Sequence, residues 1–132
     1  MIAVDTNVVV RVLTNDDPEQ AAAVAALLEG EAVYLPLSVV LETEWVLRSV
    51  YGLDRRVVVS ALRRFLGIPT VTAESAGRLG QALAWYEEGF DFADALHLAS
   101  ASEAGAERLA TFDGRFRLLA EESATAVTLI RP

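Results

Sequence analysis

The sequence contains no cysteine and no lysine. Among its 132 residues all eleven basic residues are arginine, and there is a single histidine. The lack of cysteine excludes disulfides, thiolate metal sites and cysteine nucleophiles. The lack of lysine excludes a Schiff-base lysine, a P-loop lysine and a lysine general base. The side chains that remain for chemistry are mainly carboxylates and hydroxyls.

Long apolar runs and an excess of positive charge are also missing. The most apolar run, Ala32 to Leu41, is far shorter than the roughly 18 residues of a membrane span. The N-terminal MIAVD has no basic region of the kind that begins a signal peptide. Nineteen acidic residues against eleven basic ones give a net charge of −8, which argues against a broad basic surface. We therefore expect a soluble, cytoplasmic protein that does not associate with membranes.

The length and the hydrophobic content of 53% are those of one globular domain, and no repeat or linker divides residues 1–132. Short apolar segments alternate with helical patterns, which indicates an α/β fold with a mainly parallel sheet. Strands are predicted at residues 1–4, 33–35, 108–112 and 126–130, and residues 70–72 form either a strand or an extended connection. Helices are predicted from about residues 8, 18, 38, 54, 74, 91 and 114. Functional sites in such folds form at the carboxyl ends of the strands.

Two aspartates directly follow predicted strands. Asp5 comes after the first strand and Asp113 after the strand that begins at Arg108. Asp5 is also a good helix N-cap, although Thr6 or Asn7 can serve equally well. Asp113 is followed by glycine, and Asp-Gly is a common turn. Both positions nevertheless suit a ligand site at the edge of a parallel sheet.

Two glutamates on the third predicted helix differ in their neighbours. Glu44 has Arg48 four residues later, so a solvated surface ion pair explains it. Glu42 shares its helix face with Val39 and Trp45 and has no base at helical spacing. A carboxylate on an apolar face is costly unless it is paired or binds a metal ion. We therefore expect Glu42 to be the functional residue of the two.

The segment GFDFADALHL contains a further acidic pair. Asp91 makes a good N-cap and Asp94 falls at the third helical position, which resembles a capping box. Asp94 also shares a helix face with His97 and Leu98, next to the body of the fold, and is the stronger candidate for function. We expect His97 to pack or to support the site rather than to be a ligand.

Four carboxylates brought together repel one another, by roughly 4 kcal/mol for each pair about 4 Å apart at an effective dielectric constant of 20. A bound cation makes such an arrangement reasonable. Ligand sets made only of oxygen suit Mg²⁺ or Mn²⁺, which also bind phosphate oxygens and activate water. The pattern predicts metal-dependent phosphodiester hydrolysis.

Four segments taken together resemble the PIN-domain ribonucleases of the VapC toxin type. They are residues 5–11 (DTNVVVR), 41–48 (LETEWVLR), 91–99 (DFADALHLA) and 111–116 (TFDGRF). The resemblance runs from residue 1 to about residue 120. It implies a three-layer α/β/α fold with a small, mainly parallel sheet.

The resemblance also implies a site and partners. The acidic residues of the family map onto Asp5, Glu42, Asp94 and Asp113, with Thr111 beside the last of them. It implies a Mg²⁺ or Mn²⁺ site, endonucleolytic cleavage of RNA, a homodimer, and neutralisation by a VapB-like antitoxin. Whether Glu44, Asp91 or Thr111 contributes to the site stays open.

The composition of two helical segments agrees with association. Residues 21–28 and 57–66 carry more apolar residues than one small domain has to bury.

Three other functions have weaker support. A phosphoacceptor signalling domain needs a lysine near the phosphoryl group, and the chain has none. A haloacid-dehalogenase-like phosphatase needs an aspartate two residues after Asp5, where Asn7 stands. The third alternative is a catalytically inactive PIN-like binding or regulatory module, because a fold can persist after its chemistry is lost.

Overall fold

Five short strands alternate with seven helices over the residues that this computed structural model describes. These are residues 1–119 and 121–132, with residue 120 entering only as the end of a helix. The chain divides into two compact units, Met1–Ala76 and Gly77–Pro132. Every strand pairing in either unit is parallel, which confirms the predicted α/β class.

The first unit contains a three-stranded sheet in the order β1-β2-β3. Its residue pairs include Ile2 with Val33 and Val33 with Val71. Residues 71–73 are thus a strand, which decides the alternative that the sequence left open. The elements of this unit are β1 (Ile2–Ala3), α1 (Thr6–Thr14), α2 (Pro18–Gly30), β2 (Val33–Leu35), α3 (Leu37–Ser49), α4 (Arg55–Leu66) and β3 (Val71–Ala73).

Aspartate side chains begin three of the helices in this unit. Asp5, Asp17 and Asp54 each accept a hydrogen bond from the backbone N–H three residues later, at 3.1, 3.2 and 3.1 Å. Each bond satisfies an N–H group that has no partner within its helix. Pro18 at the first position of α2 loses no hydrogen bond, because its ring nitrogen carries no hydrogen.

The central strand β2 and helix α4 contribute buried apolar side chains to the first unit. Val33 and Leu35 are almost fully buried on β2. Helix α4 buries Val58, Leu62 and Phe65, whereas Val57 is 45% exposed, so most of the apolar surface of residues 57–66 faces the core. Helix α2 differs, because only Ala21 and Leu28 are buried while most of its other alanines are exposed.

The second unit contains a two-stranded parallel sheet in which Arg108 pairs with Ala126. Among its buried side chains, Tyr86 and Phe92 pack edge to face with ring centroids 5.3 Å apart. Such aromatic pairs contribute about 1 kcal/mol beyond the area they bury. The elements of this unit are α5 (Ala76–Glu88), α6 (Phe92–Glu103), β4 (Arg108–Thr111), α7 (Phe116–Ala120) and β5 (Ala126–Leu129).

A membrane span requires a helix of about 20 mostly apolar residues. None of the helices in the described part of the chain is both long enough and apolar enough to cross a bilayer.

Candidate active site

Asp5 and Glu42 line the same pocket in the first unit. The pocket has a volume of about 320 Å³, and its other lining residues are Thr6, Asn7, Ser38 and Val39. Asp5 lies just beyond β1, and Glu42 lies one turn into the helix that follows β2. Because β1 and β2 are parallel, both strands end at the same edge of the sheet. Two of the four acidic residues that the sequence singles out, Asp5 and Glu42, therefore line one pocket.

Asp5 is both a helix cap and a pocket residue. Its Oδ1 accepts the N–H of Val8 at 3.1 Å, and its side chain is exposed. The carboxylate thus lies at the positive end of the α1 dipole, which attracts negative charge. The cap uses one oxygen atom, so the other oxygen is available to a ligand in the pocket.

Glu42 lies on an exposed face of α3. The expectation that it sits on an apolar, buried face is wrong, because its own side chain is exposed and Trp45 is 54% exposed. The buried stripe of α3 consists of residues on the other side of the helix, including Val40 and Leu47. Its exposure leaves Glu42 accessible from the pocket that it shares with Asp5.

Glu44 has a structural role. The side chain is buried at 3% exposure, and its Oε2 accepts a hydrogen bond from Nε of Arg48 at 2.7 Å. The predicted pairing with Arg48 is confirmed, but the predicted solvated position of Glu44 is wrong. A buried carboxylate needs such a partner, because an unpaired charge in that position is costly.

The second unit places Asp94 near two other acidic side chains. Asp94 is half-buried in the first turn of α6. Burial raises the pKa of Asp94, and the negative charges of Asp91 and Asp113 raise it further. Arg115 and His97 act in the opposite direction and more weakly. Such clustering of like charges is typical of cation sites, although structural networks also produce it.

Asp113 is held by the turn that follows β4. Its backbone N–H donates to Oγ1 of Thr111 at 3.0 Å, and its Oδ1 accepts the backbone N–H of Arg115 at 2.9 Å. The guanidinium of Arg115 also donates to both carboxylate oxygens, with Nε 2.8 Å from Oδ2. These bonds lower the pKa of Asp113. Thr111 therefore positions the turn, and Arg115 is the counter-ion of Asp113.

The sequence interpretation missed Arg115 and only partly anticipated Asp91 and His97. Arg115 stands two residues after Asp113, a spacing at which a turn brings the side chains together. Asp91 is confirmed as the N-cap of α6, since its Oδ1 accepts the N–H of Asp94 at 3.0 Å. His97 is exposed rather than packed, and its effect is to lower the pKa of Asp94 weakly.

Each unit contains oxygen donors. The first unit has the carboxylates of Asp5 and Glu42 beside the hydroxyls of Thr6 and Ser38. The second unit has Asp94 near Asp113. Oxygen donors of this kind match the preference of Mg²⁺ and Mn²⁺. Among the described residues, no three histidine or acidic side chains form a group that is able to hold a metal ion.

Comparisons with known proteins give one family match. A family model described as PIN domain matches residues 2–122. No curated protein is significantly similar to the chain in sequence. The crystal structure of VapC20 from Mycobacterium tuberculosis, a sarcin-ricin loop cleaving toxin, is 24% identical, with coverage of 100% of both chains and a TM-score of 0.45. Because the TM-score is below 0.5, we draw no conclusion from this structural similarity. The family of the chain is assigned from the PIN-domain match over residues 2–122.

Because Glu42 is exposed and Glu44 is buried, replacing each by glutamine should affect a different property of the protein. Glu44→Gln should lower the free energy of unfolding by about 1 kcal/mol, because it removes a charged hydrogen bond from a buried side chain whose partner is half-exposed. Glu42→Gln should leave that free energy nearly unchanged but weaken Mn²⁺ binding. Urea denaturation and titration calorimetry measure the two effects. Equal loss of Mn²⁺ affinity in both variants would contradict the assignment.

The pKa shifts of Asp94 and Asp113 predict opposite dependences of stability on pH in metal-free protein. The pKa of Asp94 is raised, so its ionisation destabilises the folded state, and Asp94→Asn should stabilise the protein at neutral pH. This gain should vanish as the pH falls through the raised pKa toward the usual value of 3.8. Thermal melting in chelator at several pH values measures it.

Asp113→Asn provides the matched control. The pKa of Asp113 is lowered, so its ionised form stabilises the folded state at pH values above its usual 3.8. Asp113→Asn should therefore destabilise the protein slightly at neutral pH, because the ion pair with Arg115 is exposed, and this small loss should vanish as the pH falls through the lowered pKa. If both variants changed stability with pH in the same direction, the assignment of opposite pKa shifts to Asp94 and Asp113 would be wrong.

Proposed function

Because the chain belongs to the PIN-domain family, we propose that it is a Mg²⁺- or Mn²⁺-dependent endoribonuclease of the VapC type. It hydrolyses RNA phosphodiester bonds as the toxin of a type II toxin–antitoxin pair. The observation that carries the proposal is the pocket shared by Asp5 and Glu42 at the carboxyl edge of β1 and β2. The family match over residues 2–122 extends across both units and all four candidate carboxylates.

In this proposal Asp5, Glu42, Asp94 and Asp113 hold the metal ion. Burial and the negative charges of Asp91 and Asp113 raise the pKa of Asp94, and a bound cation would offset that negative charge. When bound, Mg²⁺ or Mn²⁺ lowers the pKa of a water molecule and offsets the negative charge of the scissile phosphate. The composition supports such chemistry, because a chain with one histidine and no lysine has few other groups for acid–base work.

The remaining roles fall to residues around the carboxylates. Asp5 is oriented by the cap of α1, which fixes one of its oxygens. Asp113 is oriented by Thr111, and Arg115 neutralises it in metal-free protein. Arg115 is 83% exposed in its side chain, so its ion pair with Asp113 contributes little stability and is easily exchanged. A cation can therefore replace Arg115 beside Asp113 at small cost.

Asp5→Asn tests the proposal most simply. It should reduce RNA cleavage by about 100-fold or more, since several kcal/mol of charge stabilisation depend on the metal ligands. Asparagine caps helices as well as aspartate does, so the fold should be retained. Cleavage of a labelled RNA by purified protein with Mg²⁺ or Mn²⁺ measures the effect.

Asp17→Asn is the matched control, because Asp17 caps α2 in the same manner and does not line the pocket. It should retain full activity. If Asp5→Asn cleaves RNA as fast as the wild type, the assignment is wrong. If the wild type cleaves no RNA with either metal, the alternative of a catalytically inactive PIN-like binding module is favoured.

The proposal extends to partners and location. It includes a homodimer, a VapB-like antitoxin as the neutralising partner, and the cytoplasm as the compartment where the RNA substrate is found. Helix α2 supports association, because Ala22, Ala23, Ala25 and Ala26 leave an exposed apolar strip. Small side chains of this kind let a second helix approach closely. RNA and the antitoxin are thus the two macromolecular partners of the proposed toxin.

The dimer has its own test. Static light scattering of the purified chain without antitoxin should give twice the mass of one chain. Ala22→Glu with Ala26→Glu places two charges on the exposed strip of α2 without breaking the helix, since glutamate is a good helix former. If α2 carries the association, this variant should be monomeric. A wild type that remains monomeric at every concentration would exclude the dimer.

A further inference from the structure

Positive charge is concentrated in one part of this acidic chain. Residues 45–73 contain five arginines and a single acidic residue, Asp54, although the whole chain has 19 acidic residues against eleven arginines. The carboxylate of Asp54 accepts the N–H of Val57 as the N-cap of α4. The segment therefore forms a local positive region, most of it on α4.

Helix α4 separates its arginines from its apolar residues. Arg56, Ser60, Arg63 and Arg64 are all exposed and fall within about 100° of one another around the helix axis. We call these four residues the α4 arginine face. The opposite side of the helix buries Val58, Leu62 and Phe65, so the arginine face points to solvent, with the 45% exposed Val57 beside it. Arg56 and Arg64 lie about 12 Å apart along the axis, at a rise of 1.5 Å per residue.

Ion pairing and helix stability do not account for the whole face. Among the described residues, neither Arg56 nor Arg64 has an ion-pair or hydrogen-bond partner. Cations in the last turn of a helix are favoured by its dipole, which explains Arg63 and Arg64 in structural terms. Arg56 lies in the first turn, where the same dipole opposes a positive charge. Helix stability therefore does not explain Arg56.

We propose that the α4 arginine face binds the phosphate backbone of RNA. The inference rests on the proposed ribonuclease function and names a surface of the same unit that holds Asp5 and Glu42. Planar guanidinium groups donate paired hydrogen bonds to phosphate oxygens, and they stay charged at any physiological pH. The face contains no large apolar side chain, whereas a stable protein interface needs an apolar core. Its composition therefore favours a polyanion over an acidic protein.

The proposal also explains how an acidic chain binds RNA. A net charge of −8 repels a polyanion at long range. At about 0.15 M salt this repulsion is screened beyond about 8 Å, so a local group of arginines determines the contact. Contacts to phosphate position the RNA and carry no sequence information. The face therefore supplies affinity, while selection of the cleavage sequence depends on other residues.

The salt dependence of RNA binding tests the proposal without any cleavage. A short fluorescein-labelled single-stranded RNA is titrated with the wild type in chelator, and Kd is measured by anisotropy at several KCl concentrations. Arg56→Gln with Arg64→Gln should lower the slope of log Kd against log salt by about 1.4, or about 0.7 for each phosphate contact. Between 1 M and 0.1 M salt, that change makes binding at 0.1 M about 25-fold weaker.

Arg108→Gln with Arg131→Gln is the matched control. Both of these arginines are exposed and outside α4, so the variant has the same net charge as the α4 variant. It should keep the wild-type slope. Arg56→Lys with Arg64→Lys keeps the charge and should also keep the slope. If the two glutamine variants lose equal slope, a general charge effect explains the binding and the proposal is wrong.

A measurement on the wild type removes any dependence on the folding of variants. Modification of arginines by phenylglyoxal, read by mass spectrometry, should be suppressed by RNA at Arg56 and Arg64 but not at Arg108 or Arg131. Protection of the face by poly-L-glutamate and not by RNA would assign it to an acidic protein and overturn the proposal. RNA binding through the face without cleavage in Mg²⁺ or Mn²⁺ would contradict only the proposed function. Cleavage with an unchanged salt slope would contradict only the arginine face.

Discussion

The parallel pairing of β1 with β2 is the constraint on which the pocket of Asp5 and Glu42 depends. Ile2 lies opposite Val33 and Ala3 opposite Tyr34, so both strands end at one edge of the sheet. The chain then enters α1 through Asp5 and α3 through residues 36 and 37. An antiparallel β1 would carry Asp5 to the other edge and separate it from Glu42.

Electrostatic repulsion among carboxylates is the second constraint. Three of the carboxylates have different hydrogen-bond partners. Asp5 caps helix α1, Glu44 forms a buried ion pair with Arg48, and Asp113 has Arg115 as its counter-ion. Asp94 has no such partner strong enough to offset its burial and its acidic neighbours, so its pKa is raised. In our proposal the metal ion supplies the missing positive charge. On the exposed side of α4, Arg56, Arg63 and Arg64 form the face that we propose binds RNA.

Local rules accounted for most of the fold. The caps at Asp17, Asp54 and Asp91 were predictable because a cap is a contact between near neighbours in sequence, and the alternation of strands and helices indicated the α/β class. The positions of Glu42 and Glu44 were not predictable in the same way. Their spacing gave the ion pair with Arg48 correctly, but which side of α3 is buried depends on the elements that pack against it. The pairing of Asp113 with Arg115 was missed because it depends on the shape of a turn.

The central claim is that Asp5, Glu42, Asp94 and Asp113 hold a divalent cation. A crystal structure of the wild type grown with Mn²⁺, with the ion located by anomalous scattering, tests that claim most directly. The account predicts an anomalous peak about 2 Å from carboxylate oxygens of these residues, or one water molecule further out. In Asp5→Asn the peak should be weakened or lost. A well-ordered structure with Mn²⁺ absent from all four carboxylates, or bound only at other acidic residues, would contradict the account.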